Sequence, residues 1–404
     1  MWRRRVAEPL PAQAHATRVT FLELFFDLVF VFALTRIVAR AFEDLVVEPG
    51  GSMWSRALPG AGKTLLLLLA LYALWQGTAW TTSRYDPESN AIQAVVAVAL
   101  GAGLVMGVAV PQAFHGYAEA FAMAYVIGQV ARPLVLRLSL REQGRRLLKW
   151  RMLVTYGVIG ALWIVGAFVD GRTLITLWAL ALAIEYAAER YGWPVPGLGR
   201  SATARWDIAA EHLAERYQQF FLIALGETIL VIGVSYSTGP FNLEHTLAFA
   251  TAAITSALLW RVYYHRAGRI LPEAIAHSNK PSAIGRSAAT THLVMIIGVV
   301  TTALGYEITI QHPVGHAPAT WIAPVLLGPA LFIAGRARFE YEVFGRVSPA
   351  RLVTLAALIL PYPLLTFAPP VAASGLAAAV LLAAAVADAR RAHGRPPEPA
   401  RPPF

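Results

Sequence analysis

Apolar residues run in stretches of spanning length along almost the whole chain, broken by short segments of Pro, Gly and charge. A helix needs about 20 largely apolar residues to cross a bilayer. Such runs lie at 20–42, 62–83, 91–114, 117–136, 151–170 and 172–189, and again at 209–235, 245–265, 287–310, 318–337, 350–368 and 371–389. Backbone groups in hydrocarbon must be satisfied within the segment itself, so each run is predicted to be helical. The expected fold is an all-α polytopic integral membrane bundle of about twelve transmembrane helices.

The positive charges give this bundle an orientation, because Lys and Arg accumulate in cytoplasmic loops. With the N-terminus inside, the inner segments carry Arg3, Arg4, Arg5 and Arg18, then Arg84, then the cluster from Arg137 to Arg151. Later inner segments hold Arg190, Arg200 and Arg205, then Arg266 to Arg286, then Arg336 to Arg351, and finally Arg390, Arg391, Arg395 and Arg401. The outer loops hold only Arg56, Lys63 and Arg172. The expected organisation is a cytoplasmic tail at 1–18, a first membrane half at 19–190, a second at 191–389 and a disordered, Pro-rich cytoplasmic tail at 390–404. No small-residue cleavage site follows the basic N-terminus, so no cleaved signal peptide is expected.

Composition agrees with lipid as the solvent. The 404 residues are 57% hydrophobic and 14% charged, with a mean hydropathy of +0.53, which leaves too little polar surface for a soluble globule of this size. The net charge of +10 lies in loops between apolar runs and marks topology, so the expected partners are the lipid bilayer and a small solute or ion, and no nucleic acid. Cysteine is absent, which excludes disulfides, thiolate nucleophiles and thiolate metal sites. No cofactor, metal site or enzymatic motif is expected. The segment "ALPGAGKT" at 57–64 approaches a phosphate-binding loop, but it starts on Ala57, follows no strand and precedes a membrane span, so it is set aside.

The halves echo each other. "ELFFDLVFVFALT" from Glu23 and "ERYQQFFLIALGET" from Glu215 both place a Glu before a Phe-rich run, and a Leu-Trp step recurs at Leu74-Trp75 and Leu259-Trp260. Six spans per half would give two parallel repeats.

Ionisable side chains within spans cost about 2.5–3.5 kcal/mol each at a helix centre on insertion scales, and face the bundle interior or water. Glu23 and Asp27 are four apart and share a face of the first span; together they could bind a cation or share a proton, or be locked by Arg from neighbouring helices. His212, Glu215, Arg216 and Gln219 form a polar stripe in which Arg216 could neutralise Glu215. Glu227 follows Gly226 near the middle of the seventh span with no cation within a turn, open to a pathway role or an interhelical hydrogen bond. His292 and Glu307 are separated by about 22 Å in height and roughly 60° in azimuth on one helix, which suits either a proton route or an interfacial Glu307 beside His312. Glu185, Glu189, Gln129 and Arg132 read as interfacial or paired. Trp54, Trp80, Trp150, Trp163, Trp193, Trp206 and Trp321 fall near span ends and are expected in the headgroup region, whereas Trp75 and Trp260 lie deeper, where they could line a cavity.

The segments "RVTFLELFFDLVFVFALTRI", "TTSRYDPE", "RWDIAAEHLAERYQQFFLIALGETIL", "HLVMIIGVVTTALGYEITIQHP" and "FGRVSP" together resemble the bacterial low temperature requirement A family, over about residues 18–388. The resemblance places Glu23, Phe26, Asp27, His212, Glu215, Arg216, Gly226, Glu227, His292, Gly305 and Glu307 at its motif positions. Gln218 and Gln219 are more polar than the residues commoner there. The family is named for growth in the cold, so the resemblance implies motif positions and no reaction. The expected function is a multi-pass transporter or ion or proton pathway of the plasma membrane, with Glu23, Asp27, His212, Glu215, Arg216, Glu227, His292 and Glu307 along the path. The alternatives are a membrane-embedded enzyme on lipid-linked substrates and a sensor or scaffold responding to membrane state.

Overall fold

The structure is a computed structural model and describes residues 19–47, 53–139, 143–201, 209–265, 267–276, 278, 281–394 and 398–403. The expected tail at 1–18, with its basic cluster, and Arg141, Arg205, Trp206, Arg266, Lys280 and Arg395 lie outside the described residues. The helices are α1 (Phe21–Phe42), α2 (Met53–Thr82), α3 (Asn90–Ala109), α4 (Ala118–Ser139), α5 (Gln143–Ala167), α6 (Gly171–Tyr191) and α7 (Ala210–Ser237). There follow α8 (Leu243–Tyr264), α9 (Ala267–Ala276), α10 (Pro281–Gln311), α11 (Ala319–Phe344), α12 (Pro349–Ile359), α13 (Tyr362–Leu365) and α14 (Pro370–Ala392). No strand occurs among the described residues.

Each predicted run lies on helix, yet among the described residues nine helices, not about twelve, are long and apolar enough to cross a membrane: α2, α3, α4, α5, α7, α8, α10, α11 and α14. The physical reasons differ. The first run, α1, carries Glu23, Asp27, Arg36 and Arg40, and the sixth, α6, carries Arg172, Glu185, Glu189 and Arg190. The eleventh is broken into α12 and α13 at Pro361 and Pro363, where missing N–H donors and ring clashes end the helix. The short α9 was not expected; Leu271, Ala274 and Ile275 on it are buried, and it packs on α8 and α11. Residues 57–64 are helical within α2, so they form no phosphate-binding loop.

The chain divides into two compact units. The first holds the described residues of Met1–Arg36, Leu65–Arg216 and Lys280–Ala283. In it α3, α4, α5 and α6 pack in chain order, each on the next. Large rings fill the space between them: Trp163 and Trp178 lie 4.6 Å apart, Tyr125 is 4.5 Å from Trp163 and Phe121 is 5.5 Å from Trp178. Each such pair contributes about 0.5–1.5 kcal/mol beyond the area it buries. Trp178 donates from Nε1 to the Trp163 carbonyl at 3.0 Å. Trp163 is therefore a core residue and not the headgroup anchor its position near a span end implied; Trp80 and Trp193 are buried as well.

The second unit holds the described residues of Ile37–Thr64, Tyr217–Asn279 and Ile284–Phe404. Here α10 and α11 meet along a seam of glycines spaced by seven. A Cβ on Gly298 would press on the Phe332 backbone and lie 2.9 Å from the Gly328 carbonyl; one on Gly305 would lie 2.8 Å from Val325 Cα. From the other side, a Cβ on Gly328 would come within 2.5 Å of Thr302 N, and one on Gly335 within 2.6 Å of Met295 Cγ. Small residues are what allow helix backbones to approach in lipid, where no hydrophobic drive exists between helices. Arg351 of α12 pairs with Glu340 of α11 at 3.3 Å and Asp388 of α14 at 2.5 Å, and Arg391 reaches Asp388 at 2.8 Å. Arg336 donates to the carbonyls of Val262 and His265, both at 3.1 Å, satisfying acceptors that the end of α8 leaves unpaired.

Part of the C-terminal tail returns to α11. Glu398 accepts from Arg346 at 2.7 Å, and Arg401 N donates to the Val343 carbonyl at 2.8 Å. The Arg346 side chain is more than half exposed, and exposed pairs contribute about 0–1 kcal/mol. Replacing Glu398 with Ala is thus expected to leave the thermal unfolding midpoint nearly unchanged. Limited proteolysis at low salt should meanwhile cut the tail sooner, and high salt should erase that difference.

Candidate functional site

The first unit concentrates buried charge where α1, α2 and α7 meet. Thr20 and Glu23 form a capping box at the start of α1: Thr20 N donates to Glu23 Oε2 at 2.9 Å, and Glu23 N to Thr20 Oγ1 at 3.3 Å. One turn on, Asp27 points the same way and is fully buried. Arg216 of α7 binds it with two parallel hydrogen bonds, Nη1 to Oδ2 and Nη2 to Oδ1, each 2.7 Å. This fork is the strong geometry of guanidinium on carboxylate. Arg216 Nε lies 3.7 Å from Glu23 Oε1, and its guanidinium sits over the Trp75 ring at 5.8 Å. Trp75 Nε1 donates to Asp27 Oδ1 at 2.9 Å.

His212, one turn before Arg216, completes the group. Its Nε2 is 3.4 Å from Glu23 Oε2, and its Nδ1 is 2.9 Å from the Ser83 hydroxyl. All four ionisable side chains are at most 1% exposed. Among the described residues, two carboxylates face one guanidinium and one imidazole here. A buried group of this kind strongly prefers its neutral state, so it has the chemistry to hold a proton or a monovalent cation.

Of the eight residues singled out by sequence, the structure thus joins Glu23, Asp27, His212 and Arg216. The guanidinium serves Glu23 and Asp27 of α1, and Glu215 is half-buried. The other three belong to the second unit. Glu227 is fully buried on α7. His292 is held by a carbonyl and a phenol: Nδ1 is 2.7 Å from the Ala288 carbonyl and Nε2 is 2.8 Å from Tyr263 Oη. A carbonyl only accepts, so Nδ1 carries the hydrogen, and in the neutral ring Nε2 is then the acceptor for the Tyr263 hydroxyl. Tyr217 stacks on the imidazole with centroids 4.8 Å apart. Glu307 is half-buried near the end of α10, where Gln311 donates to it at 3.4 Å, and His312 stacks on Trp321 at 4.8 Å.

Among the described residues no group of three His, Cys, Asp or Glu side chains is placed to hold a metal ion. An apolar groove of about 830 Å³ runs along α7 and α8, from Leu222 to Trp260, with Ser256 as its hydroxyl. Trp260 lines this groove, as its depth in the span suggested, whereas Trp75 hydrogen-bonds to Asp27.

Sequence reasoning missed the capping partner Thr20, although Thr-x-x-Glu ahead of an apolar run is its signature. It also read Gln129, Arg132, Glu185 and Glu189 as interfacial or paired. Gln129, Arg132 and Glu185 belong to one buried network: Glu185 accepts from Tyr125, from Gln129 Nε2 at 2.6 Å and from Tyr156 Oη at 3.2 Å, and Tyr156 accepts from Arg132 at 2.6 Å. Gln76 donates to Glu189 at 2.9 Å. The spacings of three and four in α4 and α6 were the available signal.

Comparison with known proteins extends over nearly the whole chain. No solved structure matches it. An uncharacterized protein of Rhizobium meliloti (strain 1021) is 30% identical over 375 residues, 92% of this chain and 88% of that protein. The family described as Bacterial low temperature requirement A protein matches residues 18–386, a range that includes the capping box, the carboxylates of α1 and the His212 to Glu227 stretch of α7. With its helices of spanning length and its motif residues in place, the chain belongs to the bacterial low temperature requirement A family.

Proposed function

We propose that this chain is a secondary transporter or ion pathway of the plasma membrane, with both termini cytoplasmic and about twelve spans in two parallel halves, 19–190 and 191–389. The observation that carries the reading is the buried group of Glu23, Asp27, His212 and Arg216, two carboxylates held against one guanidinium and one imidazole. Ionisable residues at membrane depth mark pathways and proton relays. Here the Glu23–His212 pair takes up and releases the coupling proton or cation, Arg216 holds Asp27 as a fixed counter-charge, and Glu215, Glu227, His292 and Glu307 continue the path.

The test is flux into liposomes containing the purified chain, followed with an internal pH dye under proton, sodium and potassium gradients. Glu23→Gln is the informative variant, because Gln also serves at this position of a capping box and only the charge is lost. Flux is expected in the native chain and at least about tenfold less in Glu23→Gln and in Glu227→Gln, a rate ratio worth about 1.4 kcal/mol of barrier. Variants must insert and melt as the native chain does. Absence of flux under every gradient, or undiminished flux in both variants, would refute the reading. A membrane-embedded enzyme on lipid-linked substrates is the second reading, favoured by the groove along α7 and α8, which has the apolar lining an acyl chain needs.

A further inference from the structure

The first unit contains a cavity of about 50 Å³ where α2 ends and α5 begins, and its lining is cationic and aromatic. Arg84, Arg132 and Lys149 face it, against two carboxylates, Glu185 and Glu189. The carboxylates are engaged already: Glu185 accepts from Tyr125, Gln129 and Tyr156, and Glu189 from Gln76. Among the described residues lining the cavity, three cationic side chains face two carboxylates.

Arg132 is the decisive side chain. It is 5% exposed, and its Nη2 donates to Tyr156 Oη at 2.6 Å, while Nε and Nη1 meet no acceptor among the described residues. Leaving buried donors of a charged group unserved is costly, more so than for neutral donors. The chain nevertheless makes room for it: Gly77 lies directly against the guanidinium, and a Cβ there would overlap Nη1. The neighbouring wall is strained too. Trp193, 5.2 Å from the Tyr156 ring, is the one non-glycine residue with positive φ (57°) among the described residues, a backbone state that persists where the surroundings over-determine it and that clusters at ligand sites. Lys149 and Arg84 stand 5.5 and 6.0 Å from the face of Tyr85.

We infer that this cavity binds an oxyanion, the carboxylate or phosphate group of a small solute or of a lipid headgroup, with Arg132 as its principal donor and Lys149 and Arg84 supplying charge. Guanidinium is the side chain suited to planar or tetrahedral oxyanions, and basic pockets between membrane helices take phosphate headgroups. The cavity has room for one such group, given that a water needs roughly 10–15 Å³. The inference stands apart from the flux reading, since an anion can be bound without anything being moved.

The experiment is thermal unfolding of the full chain in neutral detergent at fixed ionic strength, titrated with acetate or inorganic phosphate against chloride. A parallel arm compares nanodiscs of phosphatidylcholine with and without phosphatidylglycerol. A saturable rise in midpoint with acetate or phosphate identifies a soluble oxyanion, and a rise confined to phosphatidylglycerol discs identifies a lipid phosphate; either supports the site. Arg132→Gln is expected to weaken the apparent affinity at least about tenfold. Lys149→Gln, which alters charge with little change of shape, should weaken it several-fold and serves where Arg132→Gln does not fold. Gly77→Ala should mimic Arg132→Gln by displacing the guanidinium. No saturable rise with any of these anions, or a rise unchanged in the Arg132 and Lys149 variants, would overturn the inference.

Discussion

Replacing Arg216 with Met is expected to destabilise the chain by about 3–5 kcal/mol, the usual cost of breaking a buried ion pair from one side. Asp27 would be left fully buried with Trp75 Nε1 as its donor, and Glu23 would lose the guanidinium 3.7 Å away. The midpoint of thermal unfolding in detergent measures the effect. Arg216→Lys should fall between the two, because an ammonium is a point charge that cannot span both oxygens of Asp27. Combining Arg216→Met with Asp27→Asn should recover much of the loss, since the group then carries the same net charge as in the native chain. A drop in the single variant no larger than that of Arg172→Met, on an exposed position of α6, would show that the pair is not buried as described.

Gly298→Leu is expected to be nearly as damaging, for a steric reason. Overpacking a core costs about 1–3 kcal/mol and sometimes more, and here the obstacle is the backbone of Phe332 and Gly328, which cannot rotate away as a side chain can. Separating α10 from α11 would also draw apart Gly305 and Val325 and uncover Thr302. Gly101→Leu on α3 makes the same chemical change where nothing lies within 4 Å of the new Cβ. Both substitutions raise hydropathy and should favour insertion equally. Comparing membrane-inserted yield with the monodisperse fraction after solubilisation separates insertion from packing: Gly298→Leu should insert and fail the second measure, and Gly101→Leu should pass both. Equal behaviour of the two would contradict the seam.

The helices were legible in the sequence because the signal for them is local. A run of apolar residues fixes a helix by hydrogen-bonding necessity, and each of the predicted runs lies on helix, the eleventh on two. What hydropathy could not weigh was charge inside a run, which is why α1 and α6 fall short of an apolar span, or the broken geometry at Pro361 and Pro363. The candidate site was half legible. Glu23 and Asp27 at spacing four announced a shared face, but that their partner is Arg216 depends on packing between distant helices, and no periodicity encodes it. The seam of Gly298, Gly305, Gly328 and Gly335 was missed for a related reason: sevenfold spacing spreads the glycines too thinly to stand out. Trp163 misled because a Trp near a span end is ambiguous until its neighbours Trp178 and Tyr125 are known.

The long reach of the Arg216 fork has a consequence for how the chain is made. Asp27 and Arg216 are 189 residues apart, and synthesis at about 5–20 residues per second takes roughly 10–40 s to cover that distance. Throughout that interval α1 has left the ribosome with two carboxylates and no guanidinium to meet them. It must therefore wait at the lipid interface, within the insertion machinery, or with its acids protonated, until α7 emerges. A helix synthesised well before its partner is then among the last to take its place.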